Sequence, residues 1–156
     1  MTAAVSPYLL DTSALYTLLE DEPGADRVEE LLRGERVLIP DIALIEVVYV
    51  TTQESSEQEA RRRYELLRQV GATVLWGMDE ATLLRTAAFK ATFRMSLADC
   101  MIAAHADRHG AVLVHKDPEY EAVANVVLLE ALPYRSGSEN ANEAAAHAEG
   151  DDSRRG

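Results

Sequence analysis

Tyr8-Leu9-Leu10-Asp11-Thr12-Ser13-Ala14-Leu15-Tyr16-Thr17-Leu18-Leu19 is the stretch from which the fold is read. Three apolar residues, a carboxylate and two hydroxyls precede a second apolar run. That order describes a short buried strand feeding directly into a helix. Asp11 then stands at the carboxyl end of a strand, where open parallel sheets form their ligand crevices. Two roles are open to it. It can cap the helix, as Thr12 or Ser13 can by accepting a backbone N–H, or it can face a crevice.

The pattern repeats downstream. Ala25 to Arg33 carries Val28, Leu31 and Leu32 at helical spacing, and Gly34 closes that helix before the strand Val37-Leu38-Ile39. Pro40 ends the strand. Asp41 is expected to cap a helix with Ile42, Ile45, Val48 and Tyr49 on its apolar face and Glu46 among them. The polar run Thr52 to Glu59 is expected to cap a long helix through Gln69, followed by the strand Thr73–Trp76 and a helix from Asp79 to about Phe93. Ser96-Leu97-Ala98-Asp99 has capping-box spacing, and its helix ends at His109-Gly110. Ala111–Val114 reads as a strand, Asp117–Tyr120 as a turn or short helix, and Val126–Leu129 as the last strand. Strands alternating with helices imply right-handed crossovers and an α/β fold with a mainly parallel sheet covered by helices. Residues 8–134 form the expected domain, 1–7 an N-terminal extension and 135–156 a disordered acidic tail.

The 27 acidic residues against 15 Lys and Arg give a formal charge of −12. Such a surface gives no support to non-specific binding of a polyanion. It leaves room for a nuclease, because a bound cation inverts the field locally. The excess acid serves solubility or a high-salt cytoplasm equally well. No run reaches the length needed to cross a bilayer, the start lacks a signal peptide's basic and apolar regions, and the single Cys100 permits no internal disulfide. A cytoplasmic protein with no membrane partner is the expectation.

Four acids recur where apolar elements meet: Asp11, Glu46, Asp99 and Asp117. A partly buried carboxylate is costly unless it is paired, hydrogen-bonded or metal-bound. Four converging at one sheet edge need cations, and an oxygen-only donor set selects a hard divalent ion, Mg2+ or Mn2+. With a phosphate substrate such an ion activates water and steadies the leaving oxygen. Each acid also has a plainer role: Asp99 in the capping box, Asp117 as a cap, Glu46 at a solvated rim. Cys100 reads as a small buried side chain. His105 and His109 have metal-ligand spacing, but ordinary capping or surface roles outweigh a zinc site there. His115, between a strand and Lys116-Asp117, can contact phosphate, orient Asp117 or lie at the surface. The isolated glycines form neither a P-loop nor a dinucleotide fingerprint.

Leu9–Leu15, Asp41–Val47, Ser96–Ala104 and His115–Tyr120, in that order, resemble the PIN-domain family, and most nearly its VapC-type toxin ribonucleases. The resemblance spans about Tyr8 to Leu132. It implies a PIN-like three-layer α/β/α fold and a Mg2+- or Mn2+-dependent endoribonuclease that leaves 5'-phosphate and 3'-hydroxyl ends. By the same resemblance Asp11 and Asp99 are the principal metal ligands. Glu46 ligates or positions water, Asp117 completes the pocket, and Ser13 supports the first acid. It also implies a small antitoxin, supplying an apolar helix and a basic side chain, and a homodimer. One residue departs from the pattern: His115 stands where the family usually has Thr or Ser. Lys90, Arg94, His115 and Lys116 are the candidates for phosphate contact. The alternatives are a non-catalytic PIN-like module that binds RNA or protein, and a phosphatase for small substrates.

Overall fold

The computed structural model describes residues 4–134, so the tail expected over 135–156 lies outside the described residues. Strand β1 (Tyr8–Leu10) runs into α1 (Thr12–Leu19), and α2 (Ala25–Gly34) leads to β2 (Val37–Pro40). Helices α3 (Asp41–Glu54) and α4 (Glu57–Arg68) precede β3 (Thr73–Leu75). Helices α5 (Glu80–Thr92) and α6 (Leu97–Arg108) then lead to β4 (Val112–His115). A 3-10 helix, Pro118–Val123, connects to β5 (Leu128–Ala131).

The five strands form one sheet in the order β3-β2-β1-β4-β5, and every pairing is parallel. Helices cover the sheet, giving the α/β/α architecture. The chain moves outward from β1 through β2 to β3, then crosses to the other side of β1 for β4 and β5. The strand order therefore reverses between β1 and β4, and the carboxyl ends of those two strands flank the crevice that such a reversal opens. Asp11 follows one strand and Asp117 the other, with Leu10 paired to Val114.

The core forms because β1, β2 and β4 are apolar on both faces. Leu9, Leu10, Leu38, Ile39, Leu113 and Val114 are each fully buried, as a helix-covered parallel strand requires. On α6, the small residues Ala103, Ala104 and Ala106 are fully buried. Burying a Leu or Val of this kind stabilises the fold by about 1.5–3 kcal/mol.

Three local expectations are corrected. Residues 52–54 finish α3, and Ser56 starts a separate α4 by accepting the Glu59 N–H, so the polar run divides two helices. Pro40 rather than Asp41 is the cap of α3. Asp41 lies within the first turn and its carboxylate accepts the Gly77 N–H at 2.7 Å, tying the loop after β3 to α3. The final strand begins two residues later than the apolar run Val126–Leu129 suggests, because Val126 and Val127 both donate N–H bonds to the Val123 carbonyl. Those bonds consume the start of the run in a turn.

Candidate active site

The carboxyl ends of β1 and β4, with α1, α3 and α6, enclose an open cleft of about 470 Å³. All four predicted acids line it: Asp11, Glu46, Asp99 and Asp117. Each arrives by a different route.

Asp11 caps α1, so its plainer role is real, but it does not exhaust the side chain. Asp11 Oδ1 accepts the Ala14 N–H at 2.7 Å, and the Ser13 hydroxyl lies 2.8 and 2.7 Å from the two carboxylate oxygens. Ser13 Oγ in turn accepts the Lys116 N–H at 2.8 Å, joining the start of α1 to the end of β4. Asp11 is only 2 % exposed. That burial pushes its carboxyl up to about 7, despite the Ser13 and Ala14 bonds that favour the ionised form; the nearby Asp99 and Asp117 add to the rise.

Glu46 reaches the cleft from α3, one residue around the helix from the exposed Ile45. Its Oε1 accepts the Thr12 hydroxyl at 2.8 Å, and burial raises its affinity for a proton. Asp99 sits in the first turn of α6, where Ser96 Oγ accepts its N–H at 3.1 Å as the capping box predicts. Asp99 Oδ1 also accepts the Tyr120 hydroxyl at 3.0 Å. Burial raises the Asp99 carboxyl too, against the lowering effect of the Tyr120 and Ser96 hydroxyls. Asp117 caps the 3-10 helix through the Glu119 N–H, with Pro118 at the position that needs no donor.

Sequence reasoning missed three contributors. Glu119 offers a carboxylate oxygen that lies, with those of Asp99 and Asp117, in a set all within 4.8 Å of one another. Tyr120 and Thr12 orient acids without being acids. Glu119 was visible two residues after Asp117; nothing in the spacing singles out Thr12 or Tyr120, since their partners are 34 and 21 residues away. Asp11 and Glu46 lie outside that tight trio and face the same cleft.

The donor set suits a hard divalent cation. Asp11, Glu46 and Asp99 are all pushed toward protonation by burial, so holding them ionised side by side is costly without a positive charge among them. Among the described residues lining the cleft, Lys116 is the one base, and its ammonium is engaged with Glu22 at 3.0 Å. Oxygen ligands of this kind fit Mg2+ or Mn2+.

These comparisons give the geometry its family. The model of the PIN domain matches residues 8–126. The chain belongs to the PIN-domain family. VapC ribonuclease Mb1587 of Mycobacterium bovis is 30 % identical over 138 residues, covering 81 % of this chain and 98 % of the relative. Ribonuclease VapC11 of Mycobacterium tuberculosis matches to the same extent. Among solved structures, DNA-bound VapBC from Salmonella typhimurium aligns with a TM-score of 0.68 at 21 % identity, over 81 % of this chain and 98 % of that one. VapBC-1 from nontypeable Haemophilus influenzae aligns at 0.65 with 24 % identity, over 80 % and 96 %. At such identities these two alignments carry the fold.

Within this PIN domain the four phosphate-contact candidates divide. Lys116 lies on the cleft wall, with its side chain 4 % exposed and held by Glu22. Lys90 does not line the cleft; its ammonium donates to the Met95 carbonyl and closes the end of α5. Arg94, on the following turn, does not line the cleft either. His115 is 1 % exposed and packs against Tyr120 and Tyr134, with ring centroids 5.2 and 6.2 Å away. Its Nδ1 accepts the Asp117 N–H at 3.2 Å. Of the roles open to it, the contact made is with Asp117, through the backbone N–H. A strand residue alternates faces with its neighbours, and His115 points into the core while Lys116 points to the cleft. His105 and His109 do not form a ligand pair: the His109 ring bonds the His105 carbonyl, and the buried His105 ring has no hydrogen-bond partner. Among the described residues no helix is long and apolar enough to cross a membrane.

Proposed function

We propose that this PIN domain is a divalent-metal-dependent endoribonuclease and the toxin of a toxin–antitoxin pair. The observation that carries the reading is the convergence of Asp11, Glu46, Asp99 and Asp117 on one cleft at the sheet's reversal point. The VapC names of the 30 % identical relatives point the same way.

Asp11, Asp99 and Asp117 would hold Mg2+ or Mn2+, with Glu46 and Glu119 as further oxygen donors. The ion, when bound, neutralises phosphate charge and lowers the pKa of attacking water. The protein's own part is orientation. Thr12 engages Glu46 Oε1, and the Glu46 carboxylate, which lines the cleft, would orient the attacking water and take up its proton. Ser13, itself held by the Lys116 N–H, keeps Asp11 in one rotamer. Hydrolysis breaks the bond from phosphorus to the 3' oxygen. The phosphate stays on the 5' side, and the 3' oxygen leaves as a hydroxyl after gaining a proton. Lys116 meets a phosphate only when its pair with Glu22 opens, since both side chains already meet at 3.0 Å.

The acidic cleft suits an antitoxin that inserts an Arg or Lys among the carboxylates. Solved VapBC assemblies of the same fold are consistent with that kind of partner. Ile45, Tyr49 and Trp76, each 47–61 % exposed, leave an apolar face at α3 that supports a homodimer. The test is cleavage of a mixed structured-RNA pool by protein freed of antitoxin, with and without Mn2+, beside Asp99→Asn. Metal-dependent cuts lost in the variant are expected. Cuts that persist undiminished in folded Asp99→Asn remove the mechanism, and absent Mn2+ binding leaves a non-catalytic binding module.

A further inference from the structure

Asp99 is under two pulls. It occupies the third position of α6, where a capping box draws an acidic side chain back toward its own helix cap. Ser96 is already there, accepting the Asp99 N–H. The second pull comes from outside the helix. Tyr120 donates its hydroxyl to Asp99 Oδ1 at 3.0 Å from the 3-10 helix that follows β4.

Tyr120 is the more firmly anchored of the two. It is 1 % exposed and its ring packs on His115, so the core fixes the position of its hydroxyl. The 3-10 turn that carries it also carries Asp117 and Glu119, the two acids whose oxygens group with that of Asp99. One short turn therefore supplies two candidate ligands and the donor that aims the third.

We propose that Tyr120 is a positioning residue of the metal centre: its hydroxyl anchors Asp99 Oδ1 to the 3-10 turn that carries Asp117 and Glu119. The inference rests on the metal-dependent reading above. A phenylalanine would keep the ring and the His115 contact and lose only the donor. Without it, Asp99 keeps only the Ser96 hydroxyl of its own helix, and the cation meets an acid trio that must first be assembled.

Partners that orient a ligand from behind are worth about 10–100-fold in metal affinity. Tyr120→Phe is therefore expected to weaken Mn2+ binding, followed by the electron paramagnetic resonance signal of free Mn2+, by about 10-fold or more. Metal-free thermal unfolding should stay near wild type. On an RNA oligonucleotide at fixed, subsaturating Mn2+, kcat should fall while KM holds. Ser96→Ala, which removes a contact made within α6 alone, should keep Mn2+ affinity within a few-fold of wild type. Wild-type affinity and kcat in folded Tyr120→Phe overturn the proposal. So does a 10-fold loss in Ser96→Ala alone, which would make the cap the orienting group; that variant decides the matter if Tyr120→Phe does not fold. A wild type that binds no Mn2+ sinks the metal reading and this inference together, whereas a binding, cleaving wild type matched by Tyr120→Phe sinks this inference alone.

Discussion

The two sides of the cleft hold their principal acids in opposite ways. On the β1 side, Asp11 is 2 % exposed and is gripped by Ala14 and Ser13, both within three residues. On the α6 side, Asp99 is only partly buried and takes its decisive bond from Tyr120, 21 residues downstream. The first acid is fixed as soon as β1 joins α1. The second, besides its local contact with Ser96, gains the Tyr120 bond only when the 3-10 helix docks on α6. Local fixing permits deep burial, and deep burial makes an uncompensated charge expensive. Distant fixing leaves the acid nearer solvent, where ionisation costs less.

Loss of chemistry should not distinguish the two sides. Asp11→Asn and Asp99→Asn should each lower RNA cleavage by more than the about 100-fold that an orienting partner contributes. Initial rates at saturating Mn2+ check this, and a large residual rate in only one variant would show that the sides contribute unequally.

Stability should separate them. Asp11 has a carboxyl raised from 3.8 to about 7, so between these values the folded chain holds a proton that the unfolded chain has released. Metal-free stability from this group therefore falls as pH rises from about 4 to about 7 and is flat above. A shift of roughly three units corresponds to on the order of 4 kcal/mol. Asp11→Asn, which still caps α1, should be the more stable protein at pH 8 and should lose that dependence. Urea midpoints at pH 5 and 8 read the effect directly. If wild type and variant show equal pH slopes, Asp11 is not the costly charge. Asp99→Asn should change metal-free stability less.

Ser13→Ala sharpens the comparison on the β1 side. It removes the donor to Asp11 and strands the Lys116 N–H, with an expected cost of about 1–3 kcal/mol. An unchanged denaturation midpoint would mean that water replaces the hydroxyl at both partners. The smallest effect belongs to His105, buried away from the cleft with neither ring nitrogen bonded. Burial lowers its pKa below 6.5, so the unfolded chain binds the extra proton and stability is lost as pH falls below about 6.5. His105→Leu should flatten that acid limb without altering cleavage at pH 8; an unchanged limb would assign it to other groups.

Much of the fold was legible because its signals are local. The apolar runs Tyr8–Leu10, before Asp11, and Ala111–Val114 marked β1 and β4, and Ser96 three residues before Asp99 marked the start of α6. Errors fell where a different bond, tertiary at Asp41 and local at Val126, competed with the expected pattern. Asp41 looked like a cap and instead holds Gly77, and Val126 looked like strand and is consumed by a turn to Val123. His115 looked available to phosphate because spacing does not say which face of β4 it takes.

The sequence by itself determined which acids exist, the strand-to-helix junctions that carry them, and the capping roles of Asp11, Ser96 and Asp117. Those depend on neighbours within three residues, and short-range backbone geometry enforces them. Only the tertiary structure decided that Thr12 holds Glu46, that Lys116 is turned to Glu22, and that Tyr120 reaches Asp99. Those contacts join elements separated by 34, 94 and 21 residues. They depend on the strand order that places β4 beside β1 and on the packing that seats the 3-10 helix against α6, and no local spacing encodes either.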